Sequence, residues 1–290
     1  MSEATQQAQP PQALVDQIID LYNQGKLERT VSLAERLTKQ FPKALILYDI
    51  LGAAYMGIGN IDRTIESYHK ALELNPDHTD AYNNMGIALY DKGNFNEAVE
   101  QFQRALEIDP GFADAHYNLG NALTQKGELK QAIESYKTSL AIKPNEAEVL
   151  LNYGNALNTF GNLDQSIECY AKALEIDPNL ADVQKNMDNA VVEKAEIERS
   201  IQKLVELESV IPAAAIKLRY MAAWIYEKGN VEKALENLEK AVRIYPQFAD
   251  AYSLMGFYLS QNGELDAAIE SSKQALKIKP DYADAYNNMG

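Results

Sequence analysis

One cysteine, three histidines, no surplus of basic residues and no long apolar run set the first limits on this 290-residue chain. Cys169 stands alone, so no disulfide can form within the chain and a reducing compartment is expected. It is flanked by Glu168 and Tyr170, with no basic neighbour to favour the thiolate, which argues against a nucleophile. His69, His78 and His116 fall at spacings that no metal site uses, so neither a metal nor any other cofactor is expected. Lys and Arg number 27 against 42 Asp and Glu, giving a formal charge of −15. Such a surface repels nucleic acid and anionic lipid, and the expected partner is a neutral to basic protein or peptide. No stretch approaches the roughly 18 apolar residues that a spanning helix needs, so membrane insertion is not expected. The opening MSEATQQAQPPQA has an early glutamate and no apolar centre, unlike a secretory signal. A cytoplasmic protein with a disordered polar tail over residues 1–10 is the expectation.

What the chain does have is a ruler. Pro42, Pro76, Pro110, Pro144, Pro178, Pro212, Pro246 and Pro280 follow one another at intervals of 34. Glycine keeps the same interval in two phases, Gly52, Gly86, Gly120, Gly154, Gly256 and Gly290, and Gly25, Gly59, Gly93, Gly127, Gly161, Gly229 and Gly263. With proline at position 32, units begin at 11, 45, 79, 113, 147, 181, 215 and 249, and a truncated ninth covers 283–290. The heptapeptide DAYNNMG accordingly occurs at 80–86 and again at 284–290.

Each unit holds two amphipathic segments. The first stops at the position-15 glycine, which can take the left-handed conformation that closes a helix. The second stops at the proline, which cannot continue one. Each unit should therefore be helix–turn–helix. Position 20 is never larger than threonine, and position 8 is usually glycine in mid-helix, where it costs about 1 kcal/mol against alanine. Close approach of two helices would account for both. Position 24 is large, as in Tyr68, Phe102, Tyr136 and Tyr170.

The set Tyr82, Met85, Gly86, Gly93, Ala98, Phe102, Ala105 and Pro110 resembles the tetratricopeptide repeat, a 34-residue helix pair with small, aromatic and proline residues at these places. The resemblance covers residues 11–290. It implies an all-α fold, a right-handed superhelical α-solenoid in one piece, whose first helices line a concave groove.

Helical geometry marks the face left for a ligand. At about 100° per residue, positions 2, 6, 9 and 13 of the first helix share one side, and positions 4, 8 and 11 lie roughly opposite. Position 6 carries Asn84, Asn118, Asn152 and Asn186, and position 9 adds Asn121, Asn155 and Asn189. An asparagine amide can donate and accept, matching one peptide unit. This row is similar to the asparagine ladder in the repeat domain of O-linked N-acetylglucosamine transferases. It could hold an extended peptide by its backbone, or it could be family consensus that bonds neighbouring repeats. Position 2 supplies Asp114 and Glu148, which would select basic side chains or simply stabilise the helix N-terminus. Tyr117 and Tyr90 flank the stripe as aromatic contacts. A clamp for acidic chaperone tails begins with Lys185 and Asn189 but is broken by Tyr220, Asp250 and Leu254.

The 181–214 unit departs from the pattern, with Asp188 and Ala195 in place of both glycines and Leu204 at position 24. Two helices joined by a less sharp turn, and a local change of curvature near 188–224, are expected there. No catalytic constellation is visible. The favoured function is a protein-interaction module. The alternative is the substrate-selecting arm of a glycosyltransferase- or sulfotransferase-type enzyme continuing beyond residue 290. The apolar ninth unit would be uncovered if nothing followed it, which could drive end-to-end self-association.

Overall fold

A computed structural model describes residues 9–207 and 211–289 of the chain. The expected disordered tail and Gly290 lie almost wholly outside these residues. Among the described residues there are helices and no strands. They group into two compact units, one up to residue 149 and one from residue 150.

The first unit pairs α1 (Gln12–Asn23) with α2 (Leu27–Gln40), α3 (Leu45–Gly57) with α4 (Ile61–Leu74), α5 (Thr79–Asp91) with α6 (Phe95–Ile108), and α7 (Ala113–Gln125) with α8 (Leu129–Ile142). Within this unit α2, α4 and α6 each also pack on the next first helix, so its core runs along the row of helices instead of gathering at a centre. The second unit contains α9 (Ala147–Thr159), whose first turn straddles the division, and α10 (Leu163–Ile176). It continues with α11 (Val183–Leu207), α12 (Ala213–Glu227), α13 (Val231–Ile244), α14 (Ala249–Gln261), α15 (Leu265–Ile278) and the short α16 (Ala283–Asn287).

The position-15 glycines close the first helices as the sequence predicts. All seven have φ between 68° and 89°. At Gly93, its N–H donates to Tyr90 O and the next N–H, of Asn94, reaches back to Leu89 O at 2.9 Å. This pair of bonds satisfies carbonyls that the helix end would otherwise leave open.

Position 8 is glycine because of position 24. A Cβ built on Gly52, Gly86, Gly120 or Gly154 would lie 2.6–2.7 Å from the ring of Tyr68, Phe102, Tyr136 or Tyr170, the position-24 residue of the same repeat. Those rings are among the most deeply buried side chains. Two other repeats divide the size differently, with Ile18 and Ala34 buried together in the first and Ala222 and Leu238 in the seventh, while the eighth keeps both places small, Gly256 against Ser272. In the other packed pairs a large residue at one place is met by a small one at the other, as a close-packed interior requires.

The 181–214 segment corrects the expectation of two helices. It is one continuous helix, α11, of 25 residues. Ala195 replaces the glycine that would turn the chain, and Asp188 is exposed instead of receiving a ring. With neither a left-handed stop nor a packed 8–24 contact, the chain simply continues its hydrogen-bond ladder. Its start is also shifted, because Asp182 takes φ 63° and α11 begins only at Val183, the third position of the unit.

Because α11 does not fold back, the repeats on either side of it meet directly. A Cβ on Gly161, in the α9–α10 turn, would sit 2.6 Å from Ile225 Cγ1 and 3.4 Å from Trp224, both on α12. Buried Asn230 donates to Phe160 O at 3.4 Å, and Lys233 Nζ lies 5.2 Å above the Phe160 ring. These contacts skip one whole repeat, which a purely nearest-neighbour array would not allow.

Candidate peptide-holding stripe

The stripe predicted on the first helices is graded in exposure. Its position-2 residues Asp114 and Glu148 are exposed, and its position-6 asparagines are half-buried between neighbouring helices. Half-burial gives an amide fixed surroundings without removing it from reach.

Each position-6 asparagine for which a bond is resolved is tied to the repeat before it. In the first unit, Asn118 Nδ2 donates to Asn83 Oδ1 at 3.0 Å, and the Tyr68 hydroxyl bonds the Asn84 side chain. In the second unit, Asn186 Nδ2 donates to Asn155 Oδ1 at 3.0 Å, and Asn288 Nδ2 donates to Ser253 O at 2.8 Å. One amide hydrogen is thus committed to holding the stack. The carbonyl oxygens of Asn118 and Asn186 have no protein partner among the described residues. Asn152 also has an interaction within the fold.

The position-9 row behaves differently. Tyr136 Oη donates to Asn121 Oδ1 at 2.8 Å, and Tyr170 Oη donates to Asn155 Oδ1 at 2.9 Å. Burial is the main reason the Tyr170 phenol is pushed up to about 12, so these hydroxyls stay protonated donors. The pairing has a counterpart in the sequence. Where position 24 is Phe102, without a hydroxyl, position 9 is Ile87, without an acceptor. Where position 24 is Leu204, Asn189 is exposed and has no side-chain partner among the described residues.

The remaining predicted residues are placed as follows. Asp114 forms an ion pair with Lys143 at 2.7 Å, so part of its charge is answered internally. Tyr90 packs edge-on to Phe95 at 5.3 Å, and Tyr117 tilts against Tyr136 at 6.2 Å. Both tyrosines are half-buried and line the helix pair as much as the stripe.

Sequence reasoning missed a polar contact in the first unit. His78 Nε2 lies 2.9 Å from Asp49 Oδ1, although the two residues are 29 apart in the chain. Both belong to the 45–78 repeat, Asp49 at position 5 on α3 and His78 at position 34 just before α5, so the fold-back of the helix pair brings the end of the repeat beside its own first helix. The polar residue at position 5, where the first unit has Val15 and the fifth has Leu151, was the available signal.

Cys169 is buried on α10, and burial pushes its thiol up to about 11. At pH 8 only about one thiol in a thousand is then ionised. Alkylation by iodoacetamide at pH 8 should be slow in the native protein and should accelerate in step with unfolding by urea. Rapid native labelling at pH 8 would contradict the burial of α10.

Family comparison agrees with this architecture. A TPR repeat model matches residues 52–93, 88–125, 224–263 and 258–290, and tetratricopeptide repeat models match 113–146 and 147–180. Together these matches cover more than half of the chain, and they leave out 1–51 and 181–223, the latter containing α11. No curated protein matches the chain significantly. Among solved structures, MamA is similar at 28% identity and TM-score 0.52, over 56% of this chain and 95% of its own. The C-terminal part of a TPR repeat-containing protein from Cytophaga hutchinsonii aligns over 95% of this chain and 99% of its own. Its identity is 15% and its TM-score 0.55, which is a likeness of fold. A MamA fragment from Desulfovibrio magneticus RS-1 gives 18% identity and TM-score 0.55 over 59% of this chain and 96% of its own.

Proposed function

The chain belongs to the tetratricopeptide repeat family, and on that premise we propose that it is a protein-interaction module holding an extended peptide by its backbone. Within one unit, the peptide lies along the first helices of its repeats, against the position-6 asparagines. The observation that carries this reading is the state of Asn118 and Asn186. In each, one amide hydrogen is bonded to the preceding repeat, which fixes the side chain before any ligand arrives. The carbonyl oxygen and the second amide hydrogen remain for a peptide N–H and C=O. Preorganisation of this kind lowers the entropy cost of binding.

The position-9 asparagines have a smaller part. Asn155 has its oxygen saturated by Tyr170 and Asn186 and keeps its amide hydrogens for a ligand carbonyl. Asn189 is exposed and can use both groups. The net charge of −15 favours a neutral to basic peptide. Backbone recognition tolerates many sequences, so charge and a few side-chain contacts would set the preference.

The test uses a nonapeptide selected from a random library on the immobilised protein. With Asn84→Ala and Asn118→Ala combined in the first unit, its affinity by calorimetry should fall by roughly tenfold or more, at about 0.5–1.5 kcal/mol for each lost bond. Melting is followed in parallel, because both residues also bond within the fold. Unchanged affinity in a folded double variant would reject the backbone-holding role.

A further inference from the structure

The first unit contains a cavity of about 330 Å³ between α1, α3, α4 and α5, on the same face as the asparagine stripe. Its wall is mostly apolar, from Ile19, Ile50 and the ring of Tyr22, and two carboxylates, Asp49 and Asp80, stand at its polar side. Among the described residues, no lysine or arginine lines it. We propose that this cavity receives an arginine side chain of the bound peptide, a role that rests on the peptide-holding function proposed above.

The two carboxylates are not equivalent, and the difference supports a cationic guest. Asp49 has one oxygen, Oδ1, bonded to His78 at 2.9 Å and keeps Oδ2. Burial, opposed by His78 and reinforced by the nearby charge of Asp80, raises its pKa above the usual carboxylate value. The site therefore holds negative charge that its surroundings do not fully stabilise. Asp80 has no hydrogen-bond or ion-pair partner among the described residues. Its counterpart one repeat later, Asp114, is paired with Lys143, but the position equivalent to Lys143 is Asp109 in the Asp80 repeat. The cation that answers Asp114 from inside the fold has no equivalent at Asp80.

Shape narrows the guest. A guanidinium on a three-carbon stem can lay its methylenes on Ile19 and Ile50 and its flat face against Tyr22, while its forked N–H groups reach the two carboxylates. A cavity of this size has room for one long side chain. Asn84, at the cavity edge, belongs to the position-6 row, so a peptide held by that row passes the mouth of the cavity.

The experiment compares two blocked alanine–serine nonapeptides that differ only in a central arginine or citrulline, its neutral isostere. Each is titrated into isotope-labelled full chain, and backbone amide shifts are followed by NMR. The arginine peptide should shift amides of 49–53 and 80–84 saturably. Citrulline should need at least about tenfold more peptide for the same occupancy. Asp80→Asn, which removes no hydrogen bond of the fold, should erase most of that difference, and adding Asp49→Asn should erase the rest.

Equal binding of the two peptides would overturn the proposal. So would agmatine alone saturating the same amides as tightly as the arginine peptide, since the cavity would then be a small-amine site. Shifts at Asn118 and Asn121 without shifts at 49–53 would reject the arginine cavity and leave the peptide stripe standing. No shifts anywhere at millimolar peptide would reject both.

Discussion

Replacing Gly120 with alanine should destabilise the protein even though alanine is the better helix former. The new Cβ would lie 2.7 Å from Tyr136 Cε1, closer than real carbon contacts come. The ring has little freedom to withdraw, because it is almost fully buried and its hydroxyl is held by Asn121 at 2.8 Å, with Thr124 Oγ1 3.2 Å away. Overpacking of this kind costs about 1–3 kcal/mol, against about 1 kcal/mol gained in helix propensity. A net loss of about 1 kcal/mol, and no more than about 2, is expected in urea unfolding. The stronger part of the prediction is rescue. Gly120→Ala combined with Tyr136→Leu copies the native Ala222 and Leu238 pairing, and it should recover most of the loss. A neutral Gly120→Ala, or a double variant less stable than the sum of the single changes, would show that positions 8 and 24 do not share one volume.

Gly161→Ala should cost more than the same change at Gly127, and the difference isolates the contact that bridges α11. Both glycines close a first helix with positive φ, 89° and 76°, where alanine is strained by roughly 1–2 kcal/mol. Around a Cβ at Gly127 there is nothing within 4 Å, whereas at Gly161 Ile225 stands 2.6 Å away. The expected losses are about 1 kcal/mol for Gly127→Ala and about 2–4 kcal/mol for Gly161→Ala. Trp224 is the single tryptophan of the chain and lies 3.4 Å from the same point, so its emission reports on the site. Its spectrum should change with Gly161→Ala and remain native with Gly127→Ala. Equal losses and an unaltered Trp224 signal would mean that α12 does not dock on the α9–α10 turn.

These two cases show how far the sequence could be read. Chain stops were legible because they are local. A glycine at position 15 and a proline at position 32 act through their own dihedral angles, and all seven turns formed as expected. The need for a small residue at position 8 was legible too, but its cause lay 16 residues away and appeared only once Tyr136 or Phe102 was seen against the glycine. At 181–214 the apolar phase persisted and masked the loss of both stop and contact. Ala195 and Asp188 were the decisive residues, since a helix continues unless something ends it.

The stripe was read less completely than the fold. Helical periodicity placed the asparagines on a shared face, but it could not say what each amide already bonds. Asn121 and Asn155 accept from tyrosines of their own repeats, and Asn118 and Asn186 donate to the repeat before. Asp49 and His78 escaped notice because their contact depends on how the end of a repeat folds back beside its own first helix. A pattern within one helix carries no information about that packing.

The most direct test of backbone holding is an N-methyl scan of the library-selected nonapeptide beside an alanine scan, both read as calorimetric affinity. Methylating a peptide nitrogen removes one donor and leaves every side chain in place. The account predicts that several N-methyl positions each weaken binding about tenfold, while most alanine replacements change it less than about threefold, apart from a basic residue. The opposite outcome, a steep alanine scan with N-methylation tolerated throughout, would mean that side-chain pockets hold the ligand and that the position-6 asparagines serve the stack alone.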